Sequence, residues 1–552
     1  MKTKTSMLFF ALWALTILYV SIVAFLWIFQ AEIDHGYVNV AMILGGFFLG
    51  LFHFGYFLWR VKGRNKLVVA AVPIVGILLF FSLFRFVGFT GDLLPLFTLR
   101  LTAAPSPPTK QETTDPQSPN AYPTEYDFTQ FLGPDRNATI KNIDLQSDWE
   151  KYPPQLVWRQ PIGAGWSGFS AVGGYAYTLE QRESQEWLTC YEISSGKLIW
   201  KLTTEAEHYN VLGGLGPRST PTIYRDRVYS LGAEGDLLCV DRFTGKLLWQ
   251  FDLVKEYSGT YAEDQVAISW GRSASPLAIG DKIIVPVGGS LEKRVSLAAF
   301  HFETGELLWE GGKEQASYAS PQLATIDGVQ QILITNESTV AGHDLETGKE
   351  LWLFPWAGQS NGAASCSDTR QIGPNTVLIS KSYGQGSALW EIQKKDDGSW
   401  VPNELWNKPS LLKTKFTNVA ISGDYSYHLS DGILECVDLR EGKRMWKRGR
   451  YKHGQILLVG EHILVLSEEG NLHLVEANPK KFRELGEAPA LTGKTWNTLC
   501  LYKDLLLVRN ATEAACYRLG LLDDQQALKE MAAEKGPSQS ENTDTDKVEK
   551  KN

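Results

Sequence analysis

Three apolar runs open the chain, at about Met7–Phe29, Tyr37–Trp59 and Leu67–Val87. Each holds about 20 residues, enough for a helix rising 1.5 Å per residue to cross a hydrocarbon core about 30 Å thick. A cleaved signal peptide has a shorter apolar stretch and is not followed by two further spans, so three transmembrane helices are expected. The pattern then changes twice. Residues 103–125 (AAPSPPTKQETTDPQSPNAYPTE) are rich in Pro, Ser and Thr and poor in core-forming side chains, which predicts an unfolded tether. From about residue 126 short apolar stretches alternate with turn residues, as in STPTIY, RVYSLG, LLCVD and KLLWQF between Ser219 and Phe251, and this is a pattern of strands. It runs to about residue 520. The tail, 521–552, is charged, ends in KVEKKN and predicts disorder after a short helical stretch.

The strand region repeats itself. Five segments share one frame: CYEISSGKLIW ending at Trp200, CVDRFTGKLLW at Trp249, AFHFETGELLW at Trp309, GHDLETGKELW at Trp352 and CVDLREGKRMW at Trp446. A glycine precedes each Trp by four residues, at Gly196, Gly245, Gly305, Gly348 and Gly442. Glycine accepts positive φ, as a tight hairpin between two strands requires. Weaker copies place Trp158 in QLVWRQPI, Trp406 in NELWNKP and Glu484 in KKFRELGE, so unit-closing strands fall near 158, 200, 249, 309, 352, 406, 446 and 484. That spacing suits four-stranded blades, and eight units predict an all-β, eight-bladed propeller. The chain finishes at ACYRLG without an outer strand, whereas QLVWRQPI stands at the start with nothing before it. Ring closure by the first strand would complete the last blade and leave no exposed sheet edge.

The frame A-x-D-x-x-T-G-K-x-x-W is similar to the pyrroloquinoline quinone repeat, and residues 150–520 resemble the quinoprotein-alcohol-dehydrogenase-like propellers. The resemblance implies that each Trp docks between neighbouring blades. It implies less about activity, since that superfamily includes quinone-dependent enzymes and the non-enzymatic propeller lipoprotein of the outer-membrane assembly machinery, and the motif itself is scaffold. The G-H and W-D signatures of the rival WD40 repeat are missing. Cys190, Cys239 and Cys436 each lie ten residues before a motif Trp, and Cys516 takes the same slot, held elsewhere by Ala299 or Gly342. Equivalent slots of different blades lie far apart, so these thiols are expected to be small buried fillers rather than disulfide partners.

Charge sets orientation and excludes one partner class. Lys2, Lys4, Arg60, Lys62, Arg64 and Lys66 flank the spans on one side, while the first loop, QAEIDHG, is acidic. Basic loops stay in the cytoplasm, which predicts an internal N-terminus and a propeller outside the inner membrane, in the periplasm of a bacterium. Arg85, in the third run, is expected to snorkel to the interface, and Gly45, Gly46 and Gly50 would allow close helix packing. Beyond residue 102 there are 46 basic against 59 acidic residues, a balance that repels a phosphate backbone and argues against nucleic acid.

Candidate chemistry gathers on one face. In a propeller the outer-to-inner loops share a face with the loops between the middle strands. Here 203–217, 254–270 and 287–295 are long while the opposite turns, such as YRDR and FTGK, are tight. Glu180, Arg182, Arg218, Trp270, Arg272, Tyr318, Asn361, Lys381, Tyr383, Lys415, Asn418, His453, Trp496 and Asn497 fall at this face. Cations beside aromatic faces suit an anionic or planar ligand; alternatively these groups cap strand ends and line a water-filled channel. The true quinone enzymes resembled here imply an adjacent cysteine pair, a carboxylate base and a Ca²⁺ cluster. No Cys-Cys occurs, and no calcium or other metal set can be placed. The expected role is therefore a membrane-anchored binding or assembly scaffold with a protein partner and no cofactor. The alternatives are a pyrroloquinoline-quinone dehydrogenase with Ca²⁺, or a sugar or peptide recognition module.

Overall fold

The computed structural model describes residues 2–29, 34–63, 65–101 and 124–522; the expected tether, apart from its last two residues, and the tail from 523 lie outside these. Helices α1 (Lys2–Ile28), α2 (His35–Arg60) and α3 (Asn65–Leu83) are long and apolar enough to cross a membrane, and their apolar side chains face outward. The Tyr19 hydroxyl of α1 donates to the Met42 carbonyl of α2 at 2.6 Å. A Cβ on Gly45 would sit 2.5 Å from the Tyr19 ring, so glycine is what lets these helices approach there, whereas Gly50 has open space around it.

The third span is shorter than its apolar run. α3 stops at Leu83, and β1 (Phe84–Phe89) pairs antiparallel with β2 (Pro95–Leu99). Arg85 therefore lies on a hairpin strand opposite Thr98 and not on a membrane helix. Hydropathy cannot see this boundary because the run stays apolar through it. What turns the chain is the glycine- and aspartate-bearing tip Phe89–Leu94, with aromatic FRFVGF favouring a strand before it.

Eight blades follow, each an antiparallel sheet in which successive strands are neighbours, with outer strands near the positions expected from the repeat. Strand β4 (Gln155–Pro161) is the outer strand of the eighth blade, pairing with Glu513–Arg518, so the ring is closed by the two ends of the propeller. The repeat glycines sit at φ between +58° and +73°. A Cβ on Gly196, Gly245, Gly305, Gly348 or Gly442 would lie 2.4–3.0 Å from the ring of Trp158, Trp200, Trp249, Trp309 or Trp406 respectively, each in the preceding blade. The indole N–H of the same Trp donates to the carbonyl three residues before that glycine: Trp200 to Arg242 at 3.0 Å, Trp249 to Phe302 at 3.1 Å, Trp309 to Leu345 at 3.2 Å. One tryptophan departs: Trp352 donates within its own blade to Gln331 Oε1 at 2.7 Å, because the fifth blade carries the longer 395–399 hairpin in place of the short glycine turn.

The cysteine slot has a structural counterpart. Cys190, Cys239, Ala299, Gly342, Cys436 and Cys516 each face the Trp of the adjacent outer strand, and a register shift follows immediately in every blade. The six cysteines are free, and all but half-buried Cys366 are buried.

Residues 124–146, which carry no repeat signal, form a plug. Phe128 exchanges backbone hydrogen bonds with Ala171 of blade one, and Thr129 accepts from Ile223 of blade two. Arg136 donates to Pro276 and Ser275 in blade three at 2.9 and 3.0 Å, and its own carbonyl accepts from Gln322 and Arg370 of blades four and five. Strand β3 (Thr139–Ile140) adds parallel to the inner strand of blade seven, and Gln146 donates to Gly520 beyond blade eight. The plug also packs Leu132 and Ala138 against Tyr427 and Ala420 of blade six, so it ties the ring together across the axis.

Candidate functional site at the pore mouth

The face bearing the long loops is also the face on which the membrane segments sit. Asp34, the N-cap of α2, pairs with Lys415 at 2.9 Å and accepts from Ser382 at 3.2 Å; both carboxylate and ammonium are buried. The tip of the β1–β2 hairpin enters beside it. Gly91 donates to Glu468 Oε1 at 2.7 Å and its carbonyl accepts from Lys415 at 3.0 Å, while Asp92 accepts from His453 Nε2 at 2.8 Å. A Cβ on Gly91 would meet the His453 ring at 2.2 Å, so the fit allows no side chain there. Burial works to raise the Asp92 carboxyl, but the hydrogen bond and charge of His453, with Lys415 nearby, outweigh it and hold the group at about 2. These contacts engage blades five to eight.

Between this lid, the inner strand ends and the plug residue Phe131 lies a chamber of about 280 Å³. Its wall is a chain of rings: Trp166 against Trp496 (4.9 Å between centroids), Trp496 against Phe416 (4.9 Å), Phe416 against Trp270 (6.0 Å) and Trp270 stacked on Tyr318 (5.0 Å). Phe416 and Trp270 come from opposite sides of the ring, so the aromatics bridge the axis. Arg218 lines the chamber and donates to the carbonyls of Gly216 and Gly214 in its own loop; burial lowers it to about 10. Lys494 lies over the Trp496 ring at 4.0 Å and donates to Phe89 of the hairpin, and burial draws it down to about 8.

Of the residues the repeat analysis singled out, the chamber gathers Arg218, Trp270, Tyr318, Asn361, Tyr383, Lys415, Asn418 and Trp496. The others stand behind it. Glu180 is fully buried and accepts from Tyr191, Thr189, Gly163 N–H and Arg182. Arg272 forms a buried bidentate pair with Asp264. Lys381 donates to the carbonyls of Ala357 and Ala363, with burial lowering it to about 8, and Asn497 donates to those of Gly165 and Ser167. These four sites bind loops to strand ends, which is the capping alternative. His453 serves the membrane clasp. The axis holds the plug, the aromatic bridge and the lid. Sequence reasoning missed Asp34, Gly91, Asp92, Glu468, Lys494, Trp166 and Phe416. The signal for the hairpin was TGD, a turn inside an otherwise apolar run.

Comparison with known proteins fits this architecture. Residues 184–448 match the PQQ_2 family, described as outer membrane protein assembly factor BamB. Outer membrane protein assembly factor BamB of Shewanella oneidensis is 22% identical over 311 residues, spanning 54% of this chain and 73% of its own length. The dehydrogenase subunit of the quinone alcohol dehydrogenase of Gluconobacter oxydans is 23% identical over 358 residues, but these cover 43% of its length. Among solved structures, quinohemoprotein alcohol dehydrogenase from Comamonas testosteroni shares the fold, with a TM-score of 0.50 at 12% identity over 73% of this chain and 82% of that one.

Proposed function

We propose that this propeller of PQQ-like repeats, which carries its own membrane anchor, is a scaffold that holds partner proteins at the outer side of the cytoplasmic membrane. The observation that carries the reading is the self-occupied pore mouth. Its lid is built from the chain's own membrane segments through Asp34–Lys415 and Asp92–His453, so the surface left for partners is the rim of the ring. The likeness to assembly factors over about three quarters of their length supports the same role. A periplasmic propeller with an internal N-terminus is supported by one geometric consistency. Asp34, the N-cap of α2, and the hairpin after α3 both meet the propeller, while basic Arg60 and Lys66 lie at the far ends of α2 and α3.

The quinone-dehydrogenase reading fits these residues poorly. Asp34 is the one carboxylate among the chamber's described lining residues, and it is committed to Lys415 and Ser382. Glu180 is saturated behind the wall, and the His473–Glu484–Glu487 group lies on the outer part of blade seven, away from the axis. The test is photocrosslinking of the full-length chain in native membranes from exposed outer-strand positions such as Leu405 and Met445. Discrete protein adducts at some positions and not others are expected. Absence of any protein adduct, together with a raised melting temperature on adding pyrroloquinoline quinone and Ca²⁺, would reverse the assignment.

A further inference from the structure

We infer that the loops of blades one to three dip into the bilayer, so that the propeller rests on the membrane and does not hang from it. Outside the blade strands, the exposed large apolar side chains of residues 124–522 are Tyr209, Val211, Leu215, Val266, Leu291 and, at the very end, Leu522. The first five all sit on outer-to-inner or middle-strand loops, which is the face that receives Asp34 and the hairpin tip. The membrane segments engage blades five to eight; the apolar loops project from the other half of the same face. Among the described residues, the turns of the opposite face expose no large apolar side chain.

These loops are braced. Asn210 donates to the Ser269 carbonyl at 3.0 Å and accepts from Leu212 and Gly213, and Ser290 N–H donates to Tyr257 at 2.9 Å. The helix Tyr261–Ala267 is fixed by a capping box between Thr260 and Glu263, which leaves Val266 78% exposed; Leu291 is 85% exposed. Rigid presentation of bare apolar tips to water is unfavourable unless something covers them.

The height of the mouth says what covers them. α2 has 26 residues and its N-cap is already inside the pore mouth. At 1.5 Å per residue it is about 39 Å long against a hydrocarbon core of about 30 Å. With Arg60 at the far interface, about 9 Å remain for the near side, the depth of the headgroup layer. Loops that project from the mouth at that height reach lipid, and Tyr, Val and Leu tips are the side chains that partition there.

The proposal rests on the three helices spanning the bilayer, and the experiment separates the two. Val211→Cys, Val266→Cys, Leu291→Cys, Thr244→Cys and Val75→Cys are made singly in full-length protein with Cys366→Ser, labelled with an environment-sensitive fluorophore and placed in phosphatidylcholine nanodiscs. Nitroxide-bearing lipid should dim the three loop labels at least twofold and the α3 label at Val75 likewise, and should leave Thr244, in an opposite-face turn, bright. Bright loops with a dim Val75 label overturn the proposal, and a bright Val75 label removes its premise as well. Loops shielded from an aqueous quencher without being dimmed by lipid assign them to a protein partner and overturn it too.

Discussion

Replacing Gly245 by Ala isolates the contact that joins one blade to the next. Gly245 sits at φ +71°, where an L-residue costs roughly 1–2 kcal/mol. Its new Cβ would also lie 2.7 Å from the Trp200 ring. That ring is almost fully buried and donates to the Arg242 carbonyl, so it cannot withdraw freely. Displacing it forfeits a hydrogen bond worth about 1 kcal/mol and adds overpacking of about 1–3 kcal/mol. The expected loss is therefore about 3–6 kcal/mol. Gly423→Ala is the matched control: φ is +56°, but nothing lies within 4 Å of the added methyl, so only the backbone cost of roughly 1–2 kcal/mol remains. Guanidinium unfolding of the full-length chain in detergent, followed by tryptophan fluorescence and circular dichroism, gives both losses. Adding Trp200→Leu to each should bring the two alanine substitutions to the same cost. Equal losses with Trp200 in place would refute the reading that indole and glycine dock blade to blade.

Three further outcomes follow from the clasp and the plug. Asp92 is depressed from 3.8 to about 2, so its contribution of about 2 kcal/mol is present above pH 3.8 and fades as pH falls through about 2. Amide exchange at Gly91 should stay slow from pH 7 to 4 and, after correction for intrinsic rates, accelerate below it, and Asp92→Asn should loosen it at all these values. Asp34→Ala strands the buried Lys415 ammonium and should cost about 3–5 kcal/mol of lid stability, read as faster exchange at 90–93; adding Lys415→Met should restore part of it. Arg136→Ala removes the donor that holds the plug to blade three and leaves the Ser275 and Pro276 carbonyls without that partner, at about 3 kcal/mol, with exchange rising across 124–146 while the outer strands stay protected.

The ring was legible because its signal repeats. Gly196, Gly245, Gly305, Gly348 and Gly442 mark turns whose geometry depends on four or five residues, and Trp158 against ACYRLG implied the closure that β4 makes. Trp352 looked like the other copies and is not, since its partner turn lies in the next blade, where DDGS lengthens the hairpin. The site was less legible. Arg218, Trp270 and Trp496 were found from strand entry, but no periodicity tells Arg272, paired with Asp264, from Arg218, which donates to the carbonyls of its own loop. Asp34 and Asp92 are lone acids beside apolar spans, and only tertiary structure brings them to Lys415 and His453, more than 300 residues away. The 124–146 plug has single-copy sequence and no partner of its own kind to reveal it.

Completing blade eight from both termini has a consequence for biosynthesis. β4 emerges from the ribosome early but finds its neighbour only when residues 513–518 have been made, some 350 residues later. Until then seven wedges can accumulate while the last gap stays open. Bringing such distant segments together costs about 5 kcal/mol of chain entropy, recovered in one terminal step that joins two edges at once. The early segment follows three helices long and apolar enough to cross a membrane, so with these inserted the step would take place on a tethered chain. A chain cut short by even its final strand would leave an unpaired edge open to another molecule.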